Sequence, residues 1–188
     1  MSAAAATVLD RLVLAAMLSV LAAILTAAMV MQFAFGEIPC PLCLLQRYAM
    51  FGCCLGLILR LRADASERGT GLAMLFALLL LVIAVRQTLL DLFPRPGHAY
   101  IGSAVLGIHM PVWSVLIAVA LLLGFALRFA LFGGARPSPA ADAVPPVLAR
   151  LTQAVSLYVV LLCAINFVSV VVQCGADACH TSGYRLWP

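Results

Sequence analysis

Five long apolar stretches dominate the pattern of hydrophobic and polar positions. Leu12–Phe35 carries no charged residue, and neither does Leu151–Gln173. Leu44–Leu61 is interrupted only by Arg47 and Arg60, Gly71–Phe93 by Arg86 and Asp91, and Pro111–Phe132 by Arg128. A helix needs about 20 apolar residues to cross the hydrocarbon of a bilayer, so each stretch is long enough to span. Backbone groups in lipid must be hydrogen-bonded within the segment, which selects helices. The pattern therefore predicts an all-α integral membrane protein whose spans form a single membrane domain over residues 1–188. The first stretch exceeds the roughly 7–15 apolar residues of a cleavable signal peptide and reads as a retained helix.

Composition agrees and narrows the choice. Of 188 residues, 65% are hydrophobic and 10% charged, against about 45–50% and about 25% in an ordinary soluble domain. A soluble fold could not hide this much apolar surface. The net charge of +4 comes from eleven Arg with no Lys, too few and too scattered for a nucleic-acid-binding face.

The Arg positions set an orientation. Arg11, Arg60, Arg62, Arg68, Arg128, Arg136 and Arg150 fall on one side of the membrane, and Arg47, Arg86, Arg95 and Arg185 on the other. Seven against four places the first side in the cytoplasm. The N-terminus is then cytoplasmic, the tail 174–188 periplasmic, and the Pro- and Ala-rich stretch Gly133–Arg150 a flexible cytoplasmic connection.

This topology sorts the seven cysteines. Cys53, Cys54 and Cys163 lie inside spans, where Cys is an ordinary small hydrophobe. Cys40, Cys43, Cys174 and Cys179 share the outer face, the oxidising side in a bacterium. Cys40-Pro41-Leu42-Cys43 opens the second span, with Cys40 at a helix N-cap position and Pro41 at the first helical position. The positive end of a helix dipole stabilises a thiolate there. Arg47 is four residues beyond Cys43 and shares its helical face. Its guanidinium suits a thiolate or a carbonyl oxygen of a bound electron acceptor, and Gln46 adds neutral hydrogen bonding on that side. A structural staple would close almost no loop and stabilise little, so the spacing favours redox chemistry. Cys174 and Cys179 flank a short Gly- and Ala-containing loop at the exit of the last span. On spacing alone that pair is as consistent with a structural bridge as with a second redox pair. Two adjacent dithiols can relay electrons by thiol–disulfide exchange.

The segment Pro39-Cys40-Pro41-Leu42-Cys43-Leu44-Leu45-Gln46-Arg47-Tyr48 resembles the disulfide bond formation protein B (DsbB) family. Weaker echoes run through Arg86-Gln87, the stretch Gly107–Ser114 and the tail from Gln173 to Cys179 with Tyr184. The resemblance implies a four-helix transmembrane bundle in the bacterial inner membrane around a quinone, ubiquinone or menaquinone, here with a fifth transmembrane helix. It implies that Cys40 and Cys43 pass electrons to the quinone, with Arg47 beside it. It also implies a second pair that is oxidised by the first and oxidises a periplasmic thioredoxin-fold partner, DsbA. In the best-known family pattern that second pair lies between spans three and four. Here Pro94–Met110 has no Cys, and the candidate pair is Cys174–Cys179. The vitamin K epoxide reductase-like fold shares this chemistry.

Other polar residues are ambiguous on sequence alone. Arg86 either snorkels to headgroups or lines the quinone pocket. His98, His109 and His180 sit in or beside outer loops. The segment Ile101–Trp113 reads as a short amphipathic helix in the interface, covering the site. Asn166 and Gln153 read as interhelical hydrogen-bonders. A metal-binding alternative draws on Cys40, Cys43, Cys174, Cys179 and His180, which could close a zinc site.

Overall fold

The computed structural model describes residues 3–62, 67–93, 104–132 and 144–175, together with Cys179, Tyr184 and Leu186. Each apolar run becomes one helix: α1 (Ala3–Ala34), α2 (Pro41–Leu61), α3 (Glu67–Leu92), α4 (Met110–Phe132) and α5 (Pro146–Cys174). All five are long and apolar enough to cross a bilayer. The chain is thus an all-α, multi-pass membrane protein. The helices begin before the apolar runs, and α5 starts at Pro146, so the end of the stretch Gly133–Arg150 is helical and not a flexible connection. At the end of α1 the chain turns at Gly36 (φ 69°), and the Glu37 N–H returns to the Met31 carbonyl at 3.1 Å. This satisfies a carbonyl that the helix end would otherwise orphan.

The helices meet along seams with a spacing of alternating three and four residues. On α3 the seam runs through Thr70, Ala73, Ala77, Leu80, Ala84 and Gln87, with Gly69 buried beside Thr70. On α4 it runs through Pro111, Ser114, Ala118, Leu121, Phe125 and Arg128. On α5 it runs through Val159, Leu162, Asn166, Ser169 and Gln173. This is the knobs-into-holes period of slightly supercoiled helices. Helix α2 is the most enclosed, packing on α1, α3 and α5, while α4 packs mainly on α3 and α5 lies against α1 and α2. A Thr26–Tyr158 hydroxyl contact of 2.8 Å ties α1 to α5.

Lipid offers no hydrophobic drive for helices to associate, so close backbone contact must supply it. The α2–α3 interface shows how. A Cβ added to Gly56 would sit 2.5 Å from the Ala73 nitrogen and 2.6 Å from the Gly69 oxygen. Both of these are backbone atoms of α3 that have nowhere to move. Gly52 precedes Gly56 by four residues and faces the ring of Phe76.

The far end of the bundle, away from the cysteine pairs, is closed by an ion cluster. Arg128 bonds Asp10 at 2.6 Å and Glu67 at 3.0 Å, and Arg60 bonds Asp10 at 3.2 Å and Glu67 at 3.1 Å. Two cations and two carboxylates from four helices cancel one another. Arg60 and Arg128, counted above as markers of the cytoplasmic side, are therefore also interior structural groups. Arg128 is only 4% exposed.

Three sequence expectations are corrected here. Residues 104–109 form no amphipathic helix. Ala104–Val105 and Ile108–His109 pair as antiparallel strands β1 and β2. Leu106 and Gly107 take φ of 53° and 76°, the left-handed pair that closes a two-residue hairpin. Asn166 is buried, yet neither its side-chain oxygen nor its nitrogen finds a partner among the described residues, so it does not bridge helices. Gln153 is exposed. His98, His180, Arg95, Arg136 and Arg185 lie outside the described residues.

The glycine contact makes a testable distinction. Gly56→Val is expected to destabilise the bundle by about 3 kcal/mol or more, since overpacking against rigid backbone cannot relax. Gly71→Ala on the open side of α3, where an added Cβ meets nothing within 4 Å, is expected to be neutral or stabilising. Thermal unfolding of the two purified variants in detergent checks both.

Candidate active site

Local chemistry at the start of α2 follows from its sequence. Cys40 is the N-cap, with extended backbone (φ −71°, ψ 161°) and Pro41 in the first turn. Its sulfur accepts the Cys43 N–H at 3.1 Å, in the place of the usual Ser or Asp oxygen. Cys40 and Cys43 are joined as a disulfide with their Cα atoms 5.0 Å apart. Cys40 is buried, and the pair opens into a cavity of about 800 Å³, within the usual range for a small-molecule site.

The cavity walls come from α1, α2, α3, α4 and the hairpin. Apolar side chains such as Ile24, Met50, Ile117 and Trp113 dominate, and Glu37, Gln46, Arg47, Gln87 and Ser114 supply the polar points. Leu106 at the hairpin tip and Val105 form part of the rim. The Trp113 indole N–H fixes the hairpin by donating to the Val105 carbonyl at 3.1 Å. The expected cover thus exists, built as a hairpin.

Arg47 is 8% exposed and reaches across to α1. One guanidinium nitrogen donates to the Ala28 carbonyl at 2.9 Å, and the other to the Gln32 side-chain oxygen and, at 3.6 Å, to the Met29 sulfur. No carboxylate among the described residues pairs with it. The contrast with Arg60 and Arg128 is informative, because the chain neutralises those two with acids and leaves Arg47 with neutral partners. A buried, uncompensated cation in a cavity wall favours an electron-rich guest.

A second line of polar contacts starts on α4. The Ser114 hydroxyl donates to the Gln46 carbonyl oxygen at 2.7 Å, and the Gln46 amide donates to the Gln87 carbonyl oxygen at 2.8 Å. The Gln87 amide then faces both sulfurs, 3.5 Å from Cys40 and 3.6 Å from Cys43. Arg86, which the sequence left between snorkelling and lining the pocket, is exposed and does not line the cavity. Gln87 beside it is the α3 residue that does.

The second cysteine pair is brought to the same end. Cys174 ends α5 and is bonded to Cys179. Gly175 turns the chain there with φ of 62°. Gln173 donates to the Pro39 carbonyl at 2.9 Å, one residue before Cys40. Farther along, the Tyr184 hydroxyl accepts from Gln32 at 3.0 Å, and Gln32 is the partner of Arg47. The tail is thus tied to both flanks of the Cys40–Cys43 site. Cys53 and Cys54 are free and fully buried, and Cys163 is free and half-buried. Among the described residues, no group of three His, Cys, Asp or Glu could hold a metal ion.

Sequence reasoning missed Gln32, Gln87, Ser114, Gln173 and Tyr184 as site residues. Helical phase could have found four of them. Gln87, Ser114 and Gln173 sit on the buried seams given above, and Gln32 continues the α1 series Leu14, Leu18, Leu21, Leu25 and Met29. Polar residues in phase with an apolar seam are costly in a membrane, and so point to function.

A protein-family model described as Disulfide bond formation protein DsbB matches residues 10–128. No curated protein and no solved structure matches. The matched segment includes Cys40, Cys43, Gln46, Arg47, Gln87 and Ser114, and stops before α5 and the second cysteine pair.

The tail tether can be measured. Tyr184→Phe removes only the hydroxyl that Gln32 reaches. Loss of one such bond costs about 1 kcal/mol, so trypsin is expected to cut after Arg185 roughly fivefold faster than in the parent protein. An unchanged rate would show that the contact does not hold the tail.

Proposed function

The chain belongs to the disulfide bond formation protein DsbB family. On that premise, we propose that this membrane disulfide oxidoreductase reoxidises a periplasmic thioredoxin-fold dithiol oxidase, a DsbA-like partner. In this reading the electrons leave through a quinone in the bacterial inner membrane. The observation that carries the reading is the Cys40–Cys43 disulfide opening into an apolar cavity whose wall holds the uncompensated Arg47.

The residues fit a quinone by their chemistry. The lining is largely apolar, as an aromatic ring and isoprenoid tail require, and the polar donors cluster at the sulfur end. When bound, a quinone supplies an acceptor for two electrons and two protons. Arg47 would hold a carbonyl oxygen and offset the negative charge that reduction brings. Gln46 has one amide N–H beyond its bond to Gln87. We assign the head group to these two residues and not to Arg86, which stands outside the lining.

The exchange steps balance through sulfur. A partner thiolate attacks the Cys174–Cys179 disulfide, and the resulting dithiol is released when the partner closes its own disulfide. The Cys174–Cys179 dithiol then attacks Cys40–Cys43, regenerating one disulfide as it opens the other. The tie from Gln173 to the Pro39 carbonyl supports assigning the shuttle role to the tail pair, because it seats Cys174 beside the loop that carries Cys40. In this reading the cysteine end of the bundle faces the periplasm and the ion cluster faces the cytoplasm.

The test is quinone reduction driven by a reduced thioredoxin-fold donor. Cys40→Ser and Cys43→Ser are each expected to drop to background. Cys174→Ser and Cys179→Ser are expected to block the protein donor while dithiothreitol still drives the reaction. Full turnover in either Cys40→Ser or Cys43→Ser would overturn the redox reading. Normal turnover of the protein donor in both tail variants would make Cys174–Cys179 a structural bridge.

A further inference from the structure

The polar line from Ser114 to the disulfide has a direction. Ser114 donates to the Gln46 carbonyl oxygen, which leaves the Gln46 amide free to donate to the Gln87 carbonyl oxygen. That in turn aims the Gln87 amide at the two sulfurs. Turning the Gln87 amide over would set its NH₂ against that of Gln46 and its oxygen against sulfur lone pairs. Both contacts would be repulsive, so the orientation follows from that of Gln46, whose oxygen takes the shorter of the two Ser114 hydroxyl contacts, 2.7 Å against 3.3 Å to the Met110 carbonyl. All three side chains are buried.

A disulfide sulfur is a weak acceptor, and a desolvated amide donor placed against it gains little. A thiolate is a strong acceptor, and hydrogen bonds to charged groups are about twice as strong as neutral ones. The arrangement therefore suits the state in which the disulfide is open. When an incoming thiolate bonds to one sulfur of the pair, the S–S bond breaks and its electron pair stays on the other sulfur. Gln87 has two amide protons and lies almost equally far from Cys40 and Cys43. It can meet that charge on either sulfur without moving.

We propose that Gln87 is a catalytic residue of the Cys40–Cys43 couple, a neutral donor that stabilises the thiolate on whichever sulfur carries it. Gln46 and Ser114 are its positioning residues. The inference rests on the reading that this pair is redox-active. It adds a donor from α3 to the Cys43 backbone N–H that already bonds Cys40.

The test uses the purified full-length protein and two readouts that need neither quinone nor partner. One is the equilibrium between open and closed Cys40–Cys43 in dithiothreitol redox buffers. The other is the pH midpoint of iodoacetamide alkylation of Cys40, resolved by peptide mass spectrometry. A donor to the charged form lowers the pH at which thiolate appears, so its removal raises that pH. Gln87→Leu is expected to shift the equilibrium about tenfold toward the disulfide and to raise the midpoint by about one pH unit. Ser114→Ala, which releases the line at its origin, is expected to shift both in the same direction by about two- to threefold. A Gln87→Leu protein that unfolds at lower temperature but keeps both values would be structural only, and the proposal would fall. If Gln87→Leu does not accumulate in membranes, Ser114→Ala decides, and an unmoved equilibrium and midpoint overturn the proposal. Because both readouts are independent of quinone, a parent protein inactive in the quinone assay would refute the proposed function separately.

Discussion

The interior of a bilayer offers no water to a polar group, and the architecture of this chain follows from that constraint. A buried polar side chain is costly there unless it finds a partner on another helix or on its own backbone. With Asn166 and the Thr26–Tyr158 pair as exceptions, the polar contacts between helices gather at the two ends of the bundle. At one end, Asp10, Glu67, Arg60 and Arg128 cancel as ions. At the other, amides, hydroxyls and sulfurs bond as neutral groups around Arg47, which pairs with no carboxylate among the described residues. Between them α2 and α3 approach to backbone contact where Gly56 meets Gly69 and Ala73.

The two ends serve different purposes because their charges are handled differently. A neutralised ion cluster has no reason to attract a ligand, and it locks four helices together. An arginine without a carboxylate partner is costly to bury, and its retention in a cavity wall beside a disulfide is hard to account for by packing alone. The fifth helix joins this second end through the Gln173 amide, and the tail after it through the Tyr184 phenol. The DsbB match stops at residue 128, so the association of α5 with the matched bundle is visible only in three dimensions.

The helices were legible in the sequence because length and apolarity alone decide whether a segment spans. The start of α2 was legible too, since an N-cap and a first-turn proline act within a few residues. The network around the sulfurs was not. Gln46 meets Gln87 across 41 positions and Ser114 across 68, while Gln32 meets Tyr184 across 152. No local pattern reports such pairs. Charge also misled, since Arg86 attracts more notice than Gln87, yet the helical phase buries the amide and exposes the guanidinium. The hairpin at 104–109 was hidden for another reason. A Leu at positive φ is unusual, so Leu106-Gly107 does not announce itself as a turn in the way Asn-Gly would.

The ion cluster also has a bearing on time. Asp10 lies on the first helix to be made, and its principal partner, Arg128, follows 118 residues later. At a synthesis rate of about 5–20 residues per second, the carboxylate waits about 6–24 s for that guanidinium. Arg60 arrives sooner, on the second helix. The first two helices can thus be joined early by one ion pair, while the full quartet forms only when the fourth helix has entered the membrane. The cluster acts as a clasp that closes late in assembly.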